Sequence, residues 1–349
     1  MTTANETDRA ARALRPVLTC LAWGAMTGVL LTALLPASLV ARIAPYPFLL
    51  SVVFLGLPHG AWDHLVVAAA RGWRLSLLYL AGTCLVYSAL VLVYSAFWFA
   101  APTAAFAAFI VVSWLHWGQG DAAYLRLFVP ARADVPAWLT WLVRGGAPIL
   151  LPIFRFPQEY ARIAAGVTGL FDGTGTRNAA HYLPSPAVCA AGTGLLAVLA
   201  ALYLTLLWRA SPRGTPARRV AIEDCAEIVL LYVVFAVANP VLAVGVYFSF
   251  WHGLRHIGRL LILDETCRAR CAAGRVGAAA ARFAVQCLPI LAASLLMLTG
   301  AYQWATRAGV GGASSALFVY LALIAALTFP HFLLVCWLDR QKMPERPRG

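Results

Sequence analysis

Runs of mostly apolar residues, each about twenty long and so able to cross the hydrocarbon layer of a bilayer as one helix, recur from Val17 to Leu338. Only short polar breaks separate them. The chain of 349 residues is 62% hydrophobic and 12% charged, with a mean hydropathy of +0.77, which is more apolar surface than a soluble core can hide. The expected fold is all-α, a polytopic transmembrane helix bundle with spans at 17–39, 46–70, 75–98, 102–120, 136–154, 186–208, 226–239, 241–262, 283–302 and 315–338. That makes about ten spans.

A net charge of +13 on a soluble protein would suggest nucleic acid. Here the arginines fall in the breaks between apolar runs, where they read as topology signals, and no nucleic-acid partner is implied. With the N-terminus in the cytoplasm, nineteen of the 27 Lys and Arg lie in cytoplasmic segments and five on the other side. This bias fits ten spans with both termini cytoplasmic. The chain then reads as a single integral membrane domain, multi-pass in the inner (plasma) membrane. It has a short polar N-terminal segment (1–15), an external loop (156–185) and a basic C-terminal tail (339–349). The seventh and eighth spans meet at Asn239-Pro240, either a corner between two helices or a kink in one long helix, and the kink would reduce the count to nine.

Ionisable groups inside a span are costly and mark function. Of seven histidines, six lie in or at the ends of spans: His59, His64, His116, His252, His256 and His331; His181 falls in the external loop and reads as solvated. His59, His116, the pair His252/His256 and His331 occupy spans two, four, eight and ten, which all run from outside to inside. They lie roughly 11 to 16 residues from the start of each span, hence at similar depth for a rise of about 1.5 Å per residue. His252 and His256, four apart, share a helical face. Asp63 shares a face with His59 and can orient a ligand ring from behind. His64 points away from His59 and is assigned to supporting or interhelical contacts. Pro58 and Pro330 precede His59 and His331 and are expected to bend their helices.

A lone intramembrane histidine is more often an interhelical hydrogen bond than a ligand. Five imidazoles at one depth point instead to one metal ion held inside the bundle. Imidazole suits iron, copper, zinc and nickel alike, so the residue types leave the metal open. Arg255 and Arg259 read as anchors at lipid headgroups, and Asp121 reads as interfacial.

Four segments resemble motifs of the bacteriorhodopsin-related Brp/Blh family of membrane-bound β-carotene 15,15′-dioxygenases. They are Gly56-Leu57-Pro58-His59-Gly60-Ala61-Trp62-Asp63-His64, His116-Trp117-Gly118-Gln119-Gly120-Asp121, Tyr247-Phe248-Ser249-Phe250-Trp251-His252-Gly253-Leu254-Arg255-His256 and Phe329-Pro330-His331. They follow the family's order and reach across most of the chain. The resemblance implies a non-haem Fe(II) enzyme that splits the central double bond of β-carotene with dioxygen and releases two molecules of all-trans-retinal. It implies His59, His116, His252 and His256 as the iron ligands. Asp63, His64 and His331 then stand beside the ligands as supports, with His331 also an alternate ligand. Trp62, Trp117, Tyr247, Phe248 and Trp251 flank these positions and are candidates for a substrate-tunnel wall, or for ordinary helix packing. A rhodopsin apoprotein that takes up retinal is a candidate functional partner.

Three other readings use the same residues. A di-iron desaturase or hydroxylase would resemble a family with more histidines than the seven present. A bis-histidine haem protein would show a visible absorption band. A non-catalytic carotenoid- or retinal-binding protein would leave β-carotene intact.

Overall fold

In the computed structural model, which describes residues 3–51, 53–171, 178–307 and 313–341, the described chain forms sixteen α-helices and no strands. In order these are α1 (Thr3–Leu31), α2 (Ala37–Ile43), α3 (Pro45–Ser51), α4 (Gly56–Ala61), α5 (Asp63–Arg71), α6 (Leu77–Ala100), α7 (Pro102–Phe128) and α8 (Ala137–Arg155). Then follow α9 (Pro157–Gly169), α10 (Pro186–Arg209), α11 (Pro216–Val237), α12 (Pro240–Tyr247), α13 (Leu254–Leu263), α14 (Glu265–Ala272), α15 (Val276–Arg307) and α16 (Ala313–Arg340).

The polar breaks between the apolar runs carry the starting signals. The Ser76, Ser185, Thr215 and Asn239 side chains accept the N–H groups of Tyr79, Val188, Arg218 and Leu242, and so cap α6, α10, α11 and α12. Pro186, Pro216 and Pro240 occupy the first turn, where a missing N–H costs nothing. Asn239-Pro240 is therefore a break between two helices.

Among the described residues, seven helical stretches, those of α1, α2–α5, α6, α8, α10, α15 and α16, are long and apolar enough to cross a membrane. Their outer faces expose large aliphatic side chains, Leu77 at 87%, Leu296 at 74% and Leu85 at 71% among them, a surface suited to lipid. The other three expected spans coincide with α7, α11 and α12–α13, whose buried His, Asp, Glu and Arg lower their apolar character.

The structure departs from the sequence reading in several places. Residues 46–70 form three short helices, with Pro58 inside α4 and the α4–α5 junction at Trp62. The eighth span is interrupted by a π-helical turn at Phe248–Gly253 between α12 and α13. The stretch expected as an external loop carries α9, which packs on α7, α8 and α16; residues 172–177 of that stretch lie outside the described residues. The polar N-terminal segment is helical from Thr3, and Ala10, Ala11 and Leu14 are buried near α14. Of the basic tail, residues 342–349 lie outside the described residues.

Helices α7 and α8 are the most closely joined pair, and glycine makes the approach possible. A Cβ on Gly118 would lie 2.0 Å from the Trp141 carbonyl oxygen, and one on Gly145 would lie 2.0 Å from that of Trp114. Gly118→Ala forces the two backbones apart and is expected to destabilise the protein by about 1–3 kcal/mol, the range for overpacking. Thermal unfolding in detergent checks this, with Gly82→Ala on α6, where a Cβ meets nothing within 4 Å, expected to match wild type or exceed it slightly.

Candidate metal centre

Five imidazoles converge where α4, α7, the π-helical turn, α13 and α16 meet, and each of the five residues is at most 5% exposed. His59 lies 5.3 Å from His252, 5.6 Å from His256 and 5.1 Å from His331, measured between ring centroids. His116 lies 4.9 Å from both His252 and His331, and His256 lies 5.2 Å from His331. The π-helical turn contains His252, while His256 sits in the first turn of α13; their rings face each other at 6.5 Å. Such turns put an extra residue into a helix and recur at functional sites. Glycines let the elements close in. Gly253 passes the Leu55 carbonyl oxygen at a distance that would leave a Cβ only 2.8 Å away, and Gly120 leaves room for the His252 ring.

The nitrogens of this cluster are short of partners. Both ring nitrogens of His116 and of His256, Nε2 of His252 and Nε2 of His331 are buried without a hydrogen bond. Buried polar atoms of this kind are rare unless something else satisfies them. His59, His116 and His331 each offer a nitrogen within 4.8 Å of the other two, a grouping that can hold a metal ion. The donor set therefore fits a transition metal.

Asp63 pairs with a different histidine from the one the sequence suggested. Its Oδ2 accepts from His331 Nδ1 at 2.7 Å and from the Tyr87 hydroxyl at 3.1 Å, whereas His59 Nδ1 lies 3.3 Å from the Leu55 carbonyl oxygen. With Nδ1–H of His331 directed at a carboxylate, its Nε2 lone pair faces the cluster. His64 contacts the Ala61 carbonyl oxygen through Nδ1 and is half-buried. His181 is exposed.

Beside the histidines lies a charged network that sequence reading missed. Arg144 on α8 bonds Asp121 on α7 at 2.5 Å, and Asp224 and Glu227 on α11 at 2.5 and 2.9 Å. Arg255 on α13 bonds Asp121 at 2.9 Å and Glu227 at 2.5 Å, and Arg132 bonds Asp224 at 2.7 Å. The Tyr203 hydroxyl donates to Asp224, and Trp251 Nε1 donates to Asp121. Three guanidinium groups balance three carboxylates. Arg255 is thus no headgroup anchor and Asp121 is not interfacial, because both are buried and each satisfies the other. Arg259, the other expected anchor, is also buried and pairs with Asp339 of α16, which accepts a second bond from Gln119. The sequence signal was there in Arg144, Asp224 and Glu227, ionisable residues in or beside apolar runs.

Two apolar cavities meet at the centre. One of about 370 Å³ is lined in part by His59, His116, His252 and His331, and the other, of about 140 Å³, extends between α7, α8, α9, α12 and α16. Trp117 and Phe248 line both. Trp62, Tyr247 and Trp251 are packed elsewhere: Trp62 bonds Gln286, Trp251 bonds Asp121, and Tyr247 is enclosed between Trp117, Phe235 and Trp251.

A family model described as beta-carotene 15,15′-dioxygenase matches residues 50–339. A Halobacterium salinarum protein named probable beta-carotene 15,15′-dioxygenase Blh is 37% identical over 346 residues, covering 96% of this chain and 95% of its own length. Another from the same organism, probable beta-carotene 15,15′-dioxygenase Brp, is 26% identical over 312 residues, covering 84% of this chain and 83% of its own. No solved structure matches.

Removing one partner from a buried ion pair costs roughly 3–5 kcal/mol because the other charge is left uncompensated. Arg144→Leu leaves three carboxylates to share two guanidinium groups, one negative charge of the network uncompensated, and is expected to fall in that range in detergent unfolding. Arg15→Ala breaks only the partly exposed pair with Glu223 and is expected to cost less than about 1 kcal/mol.

Proposed function

Because the chain belongs to the β-carotene 15,15′-dioxygenase family, we propose that it cleaves the central double bond of β-carotene with dioxygen to give two molecules of all-trans-retinal, at an Fe(II) held by His59, His116, His252 and His256. The observation that carries this reading is the set of buried imidazole nitrogens without partners, gathered at the wall of an apolar cavity. His331, turned by Asp63 so that Nε2 faces the same point, adds a fifth imidazole to the centre.

Bound Fe(II) would supply the dioxygen chemistry, and both oxygen atoms can end in the two aldehydes, so no external reductant is required. The chain's own residues do the rest. The histidines present neutral nitrogen donors in a pocket shielded from water. Tyr87 holds Asp63, and Asp63 holds the His331 ring in one tautomer. Trp117 and Phe248, stacked at 5.8 Å, offer aromatic faces beside the reacting polyene, where they favour positive charge that develops on carbon.

In this reading the chain is one integral membrane domain with about ten spans, α7, α11 and α12–α13 crossing with the seven apolar stretches. Both termini lie in the cytoplasm, the membrane is the inner (plasma) membrane, and a rhodopsin apoprotein is the natural acceptor of the retinal. The biased placement of Lys and Arg supports the orientation.

Expression in a β-carotene-accumulating bacterial host, followed by chromatography of the extracted pigments, tests the activity. Wild type is expected to convert carotene to retinal, and His252→Ala is expected to lose both the conversion and most of the bound iron. Chelation of the purified wild type is expected to abolish cleavage, with Fe(II) restoring it. Unchanged carotene with wild-type protein that is folded, in the membrane and iron-loaded would overturn the proposal.

A further inference from the structure

The cavity that holds the histidines is open on one flank of the bundle. Cys84, Ser88 and Leu92 on α6 and Met297 on α15 line it, and all four are exposed. Helices α6 and α15 both pack on α16, so the opening lies between them with α16 behind. Both belong to stretches apolar and long enough to cross a membrane, and the exposed Leu85 and Leu296 lie beside the opening in sequence. Lipid, rather than water, is therefore the phase outside this mouth.

In the opposite direction the cavity adjoins the second one through four shared residues, Trp117, Phe248, Ile324 and Thr328. The residues lining the second cavity are buried or partly exposed, without the exposed side chains that mark the mouth of the first. The junction is beside the metal centre, since the His252 ring stacks on Trp117 at 5.4 Å. The inner chamber reaches Phe106, about 15 Å from His116 along the axis of α7 at 1.5 Å per residue. That length is comparable with one half of an extended C40 polyene. Its one charged lining residue, Glu159, is already paired with Arg162.

We propose that the two cavities form one substrate channel, which opens sideways into the lipid between α6 and α15 and ends blind behind Trp117 and Phe248. This rests on the polyene-cleaving function proposed above. A carotenoid dissolved in the bilayer threads in end first and meets no water on the way. One end ring lodges in the inner chamber, the other half trails toward the mouth, and the depth of the chamber decides which double bond lies at the histidines. A chain that cuts a symmetric polyene into equal halves then needs no recognition of the central bond itself.

Two substitutions test the two ends. Ser88→Trp puts bulk in the mouth at an exposed position that the fold tolerates, and Leu85→Trp, on the same helix but outside the cavity lining, is its control. Under anoxia the whole protein cannot complete an oxygen-dependent cleavage, so β-carotene bound per protein in vesicles reports access alone; in air, the aldehydes formed report cleavage. Ser88→Trp is expected to lower the rate of carotene uptake and the yield of aldehyde by about tenfold or more, with Leu85→Trp unchanged. Ile163→Trp, which shortens the inner chamber from α9, is expected to take up carotene while shifting the cut toward the inner ring, giving a shorter ring-bearing aldehyde and a longer apocarotenal. Wild-type uptake by Ser88→Trp would overturn the mouth, and equal halves at wild-type yield from Ile163→Trp would overturn the inner end. If wild type takes up carotene but never cleaves it, the proposed function falls, while the uptake comparison still decides the mouth.

Discussion

Buried Arg144, Arg255, Asp121, Asp224 and Glu227 on α7, α8, α11 and α13, joined by the partly buried Arg132 just beyond the end of α7, hold the histidine cluster in register. None of these charges is tolerable alone in a low-dielectric bundle. They are acceptable only as a set, which requires those helices to come together in one arrangement. Asp121 follows His116 on α7, and Arg255 stands between His252 and His256, so the pairing of Asp121 with Arg255 sets the position of one histidine-bearing helix against the other. Asp339 does the same for α16 through Arg259 and Gln119, and α16 carries His331. The cost of burying charge is thus tied to the placement of imidazoles.

The same division explains which helices look like membrane spans. The polar centre is built mainly by α7, α11 and α13, which fall outside the seven apolar stretches, while α8 lends it Arg144 and α4 and α16 contribute histidines. Glycine brings the inner elements within backbone contact: Gly118 and Gly145 join α7 to α8, and Gly253 seats the π-helical turn against the Leu55 carbonyl. A buried site with unpaired nitrogen donors and apolar walls suits a substrate that lives in the bilayer.

Much of this was legible in the sequence. The helical class follows from the length of the apolar runs, and the five histidines stood out because each interrupts such a run at similar depth. The π-helical turn was not legible, because the 3.6-residue period that places His252 and His256 on one face assumes an uninterrupted helix. Helix α9 was read as loop because its sequence is only weakly apolar; its small side chains bury it all the same, with Gly166 close against Phe318. Arg255 and Arg259 read as surface anchors because a sequence shows a charge but not its partner, and Asp121 and Asp339 are far away in the chain. Asp63 was matched to His59 by helical spacing, yet the break at Trp62 turns it toward His331 on α16.

X-ray absorption at the iron edge of the purified, iron-loaded protein would decide whether these imidazoles share one ion. Convergence of the rings leads to one iron per chain, with a scattering shell dominated by four or five imidazole nitrogens that loses one of them in His252→Ala. Iron bound mainly through oxygen or sulfur, or iron in wild type whose shell is unchanged when both His116 and His252 are replaced by alanine, would contradict it.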